Sequence, residues 1–162
     1  MLTKKIAAAM IAGGLAVTAC AAFAADDPPI TTKSGTLGQP PAGMGQVVFF
    51  RPGSMWGMAM GCTVHEDDKE LARLGSGKYY VITATPGKHM YFTEGMRTDR
   101  LNLEVEDGET YFVRCNIGMG MVGPASANLS PSDRGAFASK AKGLKMWAGK
   151  DDKDDKGDGD KK

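Results

Sequence analysis

The chain has 162 residues, 20 of them basic and 19 acidic, for a formal net charge of +1. Such a balance lacks the basic footprint that nucleic-acid binding draws on. No apolar run of spanning length follows residue 24, so a membrane span inside the main part of the chain is excluded as well.

The N-terminus reads as an export signal. Lys4 and Lys5 precede a weakly apolar, Ala/Gly-rich stretch from Ile6 to Val17, and two cleavage patterns follow. Val17-Thr18-Ala19-Cys20 fits a lipobox, which would leave Cys20 as an acylated first residue held to a membrane. Ala22-Phe23-Ala24 fits the small-x-small site of ordinary signal peptidase, which would release a free protein beginning at Ala25. Both exits lead to the periplasm, and both leave roughly 140 residues, enough for one domain with one core. Residues 1–24 (1–19 if Cys20 is lipidated) are therefore the signal. Residues 25–44, with Pro28-Pro29 and Pro40-Pro41 among Thr, Ser and Gly, read as a flexible tether.

From Gly45 the pattern becomes short strands between turn signals. Gln46-Val47-Val48-Phe49-Phe50 is a β-branched and aromatic run closed by Pro52-Gly53. Lys69–Leu74 lies between Asp67-Asp68 and Gly75-Ser76-Gly77. Tyr79–Ala84 is closed by Pro86-Gly87, and His89–Thr93 follows at hairpin distance. Leu101-Asn102-Leu103-Glu104-Val105 alternates cleanly, and Asp107-Gly108 turns into Tyr111–Ile117. Strands at this spacing predict an all-β fold, an antiparallel β-sandwich of the immunoglobulin or transthyretin kind, with six to eight strands. Leu101, Leu103 and Val105 should be buried, along with Val113, Cys115 and Ile117. One helix is predicted near Pro131–Lys142: Ser130 caps it, Pro131 takes its first position, and Phe137, Ala141 and Leu144 share a face. The sandwich with its C-terminal helix spans 45–147. Residues 148–162 are nearly all Lys, Asp and Gly, with nothing to bury, and read as a disordered tail.

No catalytic constellation assembles from these residues. Gly118-Met119-Gly120-Met121-Val122-Gly123 matches G-x-G-x-x-G, but Pro124 follows where a dinucleotide site needs a helix. His65 and His89 are the only imidazoles. His65 has the opposite strand parity to Cys62 and Val64 and should face water, and His89 should sit solvated just after the Pro-Gly-Lys turn. With Cys20 lipidated or lost, Cys62 and Cys115 remain. An even pair in an oxidising compartment points to a disulfide, and the competing reading is two buried thiols. Met58, Met60 and Cys62 share strand parity, and thioether and thiol sulfurs suit copper(I). Against that stands Val64, which continues the same face as an ordinary core stripe.

The segments Gly45-Gln46-Val47-Val48-Phe49-Phe50-Arg51-Pro52, Lys69-Glu70-Leu71-Ala72-Arg73-Leu74 and Gly77-Lys78-Tyr79-Tyr80-Val81 form one set. With Pro86-Gly87-Lys88-His89, Gly108-Glu109-Thr110-Tyr111-Phe112-Val113, Asn116-Ile117-Gly118-Met119-Gly120 and Leu129-Ser130-Pro131, the chain resembles the bacterial envelope proteins grouped as domain of unknown function 2846. The resemblance implies a periplasmic or lipoprotein-like β-sandwich with no assigned reaction and no catalytic residues to carry over. The expectation is a non-enzymatic envelope protein. It needs no cofactor, its partners are envelope proteins or the cell wall, and it meets the membrane only through Cys20. The alternative is a periplasmic copper(I) carrier using Met58, Met60 and Cys62.

Overall fold

Gln46 to Phe50 shows no polar–apolar alternation, and a strand of that kind has to be covered on both faces. In the computed structural model, which describes residues 28–55, 60–94, 99–118 and 126–149, it is covered on both. The elements in chain order are β1 (Thr31–Thr32), β2 (Gly35–Thr36), β3 (Gly45–Arg51), β4 (Cys62–Glu66), β5 (Lys69–Leu74) and β6 (Lys78–Ala84). They continue with β7 (Gly87–Thr93), β8 (Asp99–Val105), β9 (Thr110–Gly118), β10 (Ser126–Ser132), α1 (Arg134–Ala141) and β11 (Lys145–Met146). One sheet has the order β10-β9-β3-β6-β11 and a second the order β5-β4-β7-β8, and the two pack as a sandwich.

Strand β3 is central to the larger sheet. Val47 and Phe49 face the second sheet and meet Val64, Ala72, Leu74, Tyr91, Val105 and Val113 in the main core. Val48 and Phe50 face the other way and pack with Tyr79, Phe112, Phe137, Ala141 and Leu144 under α1. Phe137 closes this smaller core, edge-on to Phe50 at 5.2 Å and to Tyr79 at 5.7 Å between ring centroids. At the start of β3 a Cβ on Gly45 would stand 2.4 Å from Val105 Cγ1 and 2.7 Å from the Glu106 carbonyl, so only glycine fits there.

Several sequence expectations need correction. The sandwich is not wholly antiparallel: β3 runs parallel to β9, and β11 parallel to β6. Ser126–Ser132 is an edge strand paired with β9 along its whole length, and Pro131 is tolerated there because an edge position need not donate to a further strand. The helix therefore starts later, capped by Asp133, whose Oδ1 accepts the Ala136 N–H at 2.8 Å. Phe137 and Ala141 are buried as read, and Leu144 lies just past the helix, also buried. Leu101, Leu103 and Ile117 are only half-buried, because the rim of the sandwich stays open, whereas Val105, Val113 and Cys115 are buried.

The tether is shorter than its composition suggested. Ile30 is buried in the core under α1, the Thr32 hydroxyl meets that of Tyr79 at 3.0 Å, and Gln46 Nε2 donates to the Gly38 carbonyl at 2.8 Å. Proline and glycine content signals irregular backbone, and here that backbone is pinned by Ile30 and Leu37 packed under α1, by these polar contacts and by the Lys33 N–H donating to the Leu144 carbonyl at 3.0 Å. Residues 1–27, which include the stretch read as an export signal, and the charged tail beyond Gly149 lie outside the described residues.

Replacing Phe137 by alanine should destabilise the fold by about 3–5 kcal/mol, because its ring fills the space between α1 and the large sheet. Asp133→Ala should cost about 1 kcal/mol through loss of the cap. Urea unfolding midpoints of the two variants check both figures.

Candidate functional site

Strand β4 brings together the chemistry-bearing residues that the structure describes. At its start, Cys62 is bonded to Cys115 of β9, with the Cα atoms 6.5 Å apart, so the bridge ties one sheet to the other through the main core. Closing a loop of 53 residues' separation stabilises the fold by about 4 kcal/mol in the chain-entropy picture.

The inward parity of Cys62 and Val64 continues to Glu66 at the other end of β4. Glu66 pairs with Tyr91 of β7, and inward-facing His89 lies two residues before Tyr91. His89 Nδ1 is 2.7 Å from Glu66 Oε1, and its Nε2 is 2.8 Å from the Thr85 carbonyl. A carbonyl only accepts and an ionised carboxylate only accepts, so both ring nitrogens carry hydrogens and the fold selects the imidazolium. Burial opposes that charge, but the Thr85 carbonyl and the Glu66 carboxylate outweigh it and raise the His89 pKa. Tyr91 stacks beside His89 at 6.0 Å and stands edge-on to Phe49 at 5.0 Å. Its hydroxyl is buried beside the Glu66 carboxylate. Burial first, and the nearby Glu66 charge second, push its ionisation well above the ordinary range.

His65 departs from its expected place. Parity does put it on the outer face of the small sheet, but it stacks on Phe92 directly across the strand pair at 5.0 Å, and its Nε2 is buried without a partner. The aromatic neighbour replaces the water that parity alone implied. His89 is corrected too, from a solvated histidine to one held by a carboxylate and a carbonyl. Equal parity of Cys62, Val64 and Glu66 on one strand, and of His89, Tyr91 and Thr93 on another, was the signal that could have found the cluster.

The copper arrangement does not form as read. The Cys62 sulfur is taken by Cys115, and β4 begins only at Cys62. Met60 precedes the strand, and its carbonyl accepts from the buried Arg51 guanidinium, whose pKa burial lowers. Met58 lies outside the described residues, as do Cys20 and the glycine-rich stretch after Gly118. Among the described residues no three His, Cys, Asp or Glu side chains converge as a metal site.

A cleft of about 210 Å³ opens at the rim between the sheets, lined by Leu101, Leu103, Tyr111, Val113, Pro131 and Arg134 among others. That is below the roughly 300–1,000 Å³ of small-molecule sites. His89 is not aimed into it, since both of its ring nitrogens are engaged elsewhere.

Because the folded His89 pKa lies above the ordinary value of 6.5, its stabilisation is fully present below that pH and is lost as pH rises through the raised value. Urea unfolding between about pH 6 and 8.5 should show stability falling in the native chain and a flatter profile in His89→Gln. Alkylation of the denatured, unreduced protein should label neither Cys62 nor Cys115, and a Cu(I)–chelator competition on the oxidised protein should leave the metal with the chelator.

A search of curated proteins returned no match. Residues 41–128 match the family described as protein of unknown function (DUF2846). That span covers more than half of the chain, from the start of the large sheet through the bridged strands to the first residues of β10, and the protein belongs to this family.

Proposed function

We propose that this is an exported, non-enzymatic envelope protein, a small β-sandwich module that acts through contacts with envelope proteins or the cell wall. The observation that carries the reading is the disulfide across the core of a chain that begins with an export signal, since such bonds persist in oxidising compartments. The polar chemistry supports the non-enzymatic half. A general base needs a ring nitrogen within reach of substrate. His89 uses both nitrogens on the protein itself, and the buried Nε2 of His65 lies on the face away from the cleft. The rim cleft is small and lined largely by apolar side chains.

Membrane contact in this reading runs through Cys20 alone, and among the described residues no helix is long and apolar enough to cross a bilayer. With Ile30 already packed in the core, the stretch from Ala21 to Pro29 is all that can separate a lipidated Cys20 from the domain. Nine residues reach at most about 30 Å. A lipidated form would hold the module close to the membrane surface.

Intact-mass measurement of protein isolated from the envelope should give a chain beginning at acylated Cys20 or at Ala25. A full-length chain retaining Met1 would overturn export. Crosslinking in the cell from the exposed faces of β5 and β8 should capture other envelope components, and capture of nothing, or of the same chain alone, would count against the binding role.

A further inference from the structure

The small sheet ends in two edges, β5 and β8, and the large sheet in β10 and β11. Three of these are poor templates for another strand. β5 is interrupted by a register shift that leaves Leu71 without a partner, and bulged edges resist further pairing. β10 carries Pro131, which lacks an N–H, and β11 is only two residues long. β8 is different. It runs seven residues in unbroken register with β7, and among the described residues nothing else pairs with it.

The sequence of β8 is also complementary to itself. In an antiparallel pair, opposed residues project from the same face. A pairing of two copies centred on Asn102 sets Leu101 against Leu103 on the inner face, where both are half-buried at the rim cleft. On the outer face it sets Arg100 against Glu104 at both ends, with Asn102 against Asn102 between them, and all three residues are exposed. Neither Arg100 nor Glu104 makes an ion pair among the described residues. Lys88 stands opposite Glu104 within the sheet, so an incoming Arg100 would extend an alternating ladder of charge. Every opposed pair among these five residues is therefore apolar with apolar, amide with amide, or cation with anion, as cross-strand stabilisation requires.

We infer that β8 is a dimerisation edge: it pairs antiparallel with β8 of a second copy about a two-fold axis at Asn102, joining the two small sheets into one of eight strands. The contact is isologous and closes after two copies. One strand pair with its flanking leucines makes a small interface, so the dimer is weak. The inference goes beyond the envelope reading and does not depend on it, because it concerns the chain alone in solution.

Sedimentation equilibrium of the purified full chain should show a monomer–dimer equilibrium with a dissociation constant between about 10 µM and 1 mM. Arg100→Glu and Glu104→Arg each place like charges opposite one another at both ends and should weaken self-association about tenfold or more. Mixing the two single variants should restore association as a heterodimer, because each then faces its complement, and the double reversal should self-associate like the native chain. Circular dichroism and the thiol count establish that the variants are folded. As an independent readout, Asn102→Cys should form an interchain disulfide on mild oxidation, whereas Lys88→Cys, one strand further in, should not. A native chain that stays monomeric to about 1 mM overturns the inference. So does a dimer that ignores the single reversals, since the charges would then be edge guards only, and so does a mixture of variants that fails to associate. These results are read in vitro, so they stand apart from what crosslinking in the cell captures.

Discussion

Burial of β3 on both faces is the constraint that organises this molecule. One seven-residue strand supplies Val47 and Phe49 to the core between the sheets and Val48 and Phe50 to the core under α1, so two hydrophobic layers share a single backbone. Its hydrogen-bonding sides are also both occupied, by β6 antiparallel and β9 parallel. The two ends are fixed by different means. Gly45 lets Val105 and the Glu106 carbonyl approach the backbone, and Arg51 turns its guanidinium onto the carbonyls of Met60 and Leu74. A buried guanidinium is costly unless its donors are used, and here they hold the segments that flank β4 and β5.

Strand β4 is the second organising element, held at both ends by chemistry stronger than ordinary packing. Cys62 binds it covalently to β9 of the facing sheet, and Glu66 accepts from the His89 imidazolium of the neighbouring strand β7. Between them, Val64 is completely buried and stands opposite Thr93, whose hydroxyl donates to the Ala127 carbonyl across the sandwich. The small sheet is thus attached to the large one by a disulfide, by the hydrogen bonds of Thr93 and Arg51 and by the apolar contacts of the core.

Much of this was legible in the residues, and the failures have identifiable causes. Turn chemistry at Asp67-Asp68, Pro86-Gly87 and Asp107-Gly108 marks real strand boundaries, because those positions need special backbone geometry; Asp67 itself has φ of 50°. Parity put Cys62 and Cys115 on inward faces. It also contained the Glu66–His89–Tyr91 cluster, which was missed because a charged residue at a strand end is normally assigned to water. The parallel pairing of β3 with β9 could not be read, since strand direction depends on connections made far along the chain. Ser130-Pro131 is a good capping sequence locally, which predicts a helix starting where the strand Ser126–Ser132 still runs. Seven backbone pairings to β9 override that preference. Ile30 and Leu37 show the same rule in reverse, two apolar side chains anchoring a segment whose composition otherwise signals a loose chain.

The buried polar groups are used within the fold. Thr32 bonds the Gly35 carbonyl and the Tyr79 hydroxyl, Gln46 bonds the Gly38 carbonyl and Thr110, and Arg51 and Thr93 bond backbone carbonyls. His89 does the same with Thr85 and Glu66. Each secures one part of the chain to another, and none projects into the rim cleft. The Tyr91 hydroxyl, buried beside Glu66, and the buried His65 Nε2 belong to opposite faces of one sheet. The polar groups named here hold one part of the fold to another, and the sandwich presents its sheet faces and edges to the surroundings. Among these, the regular, unbulged edge of β8 has the hydrogen-bonding groups and the alternating side chains with which one strand recognises another.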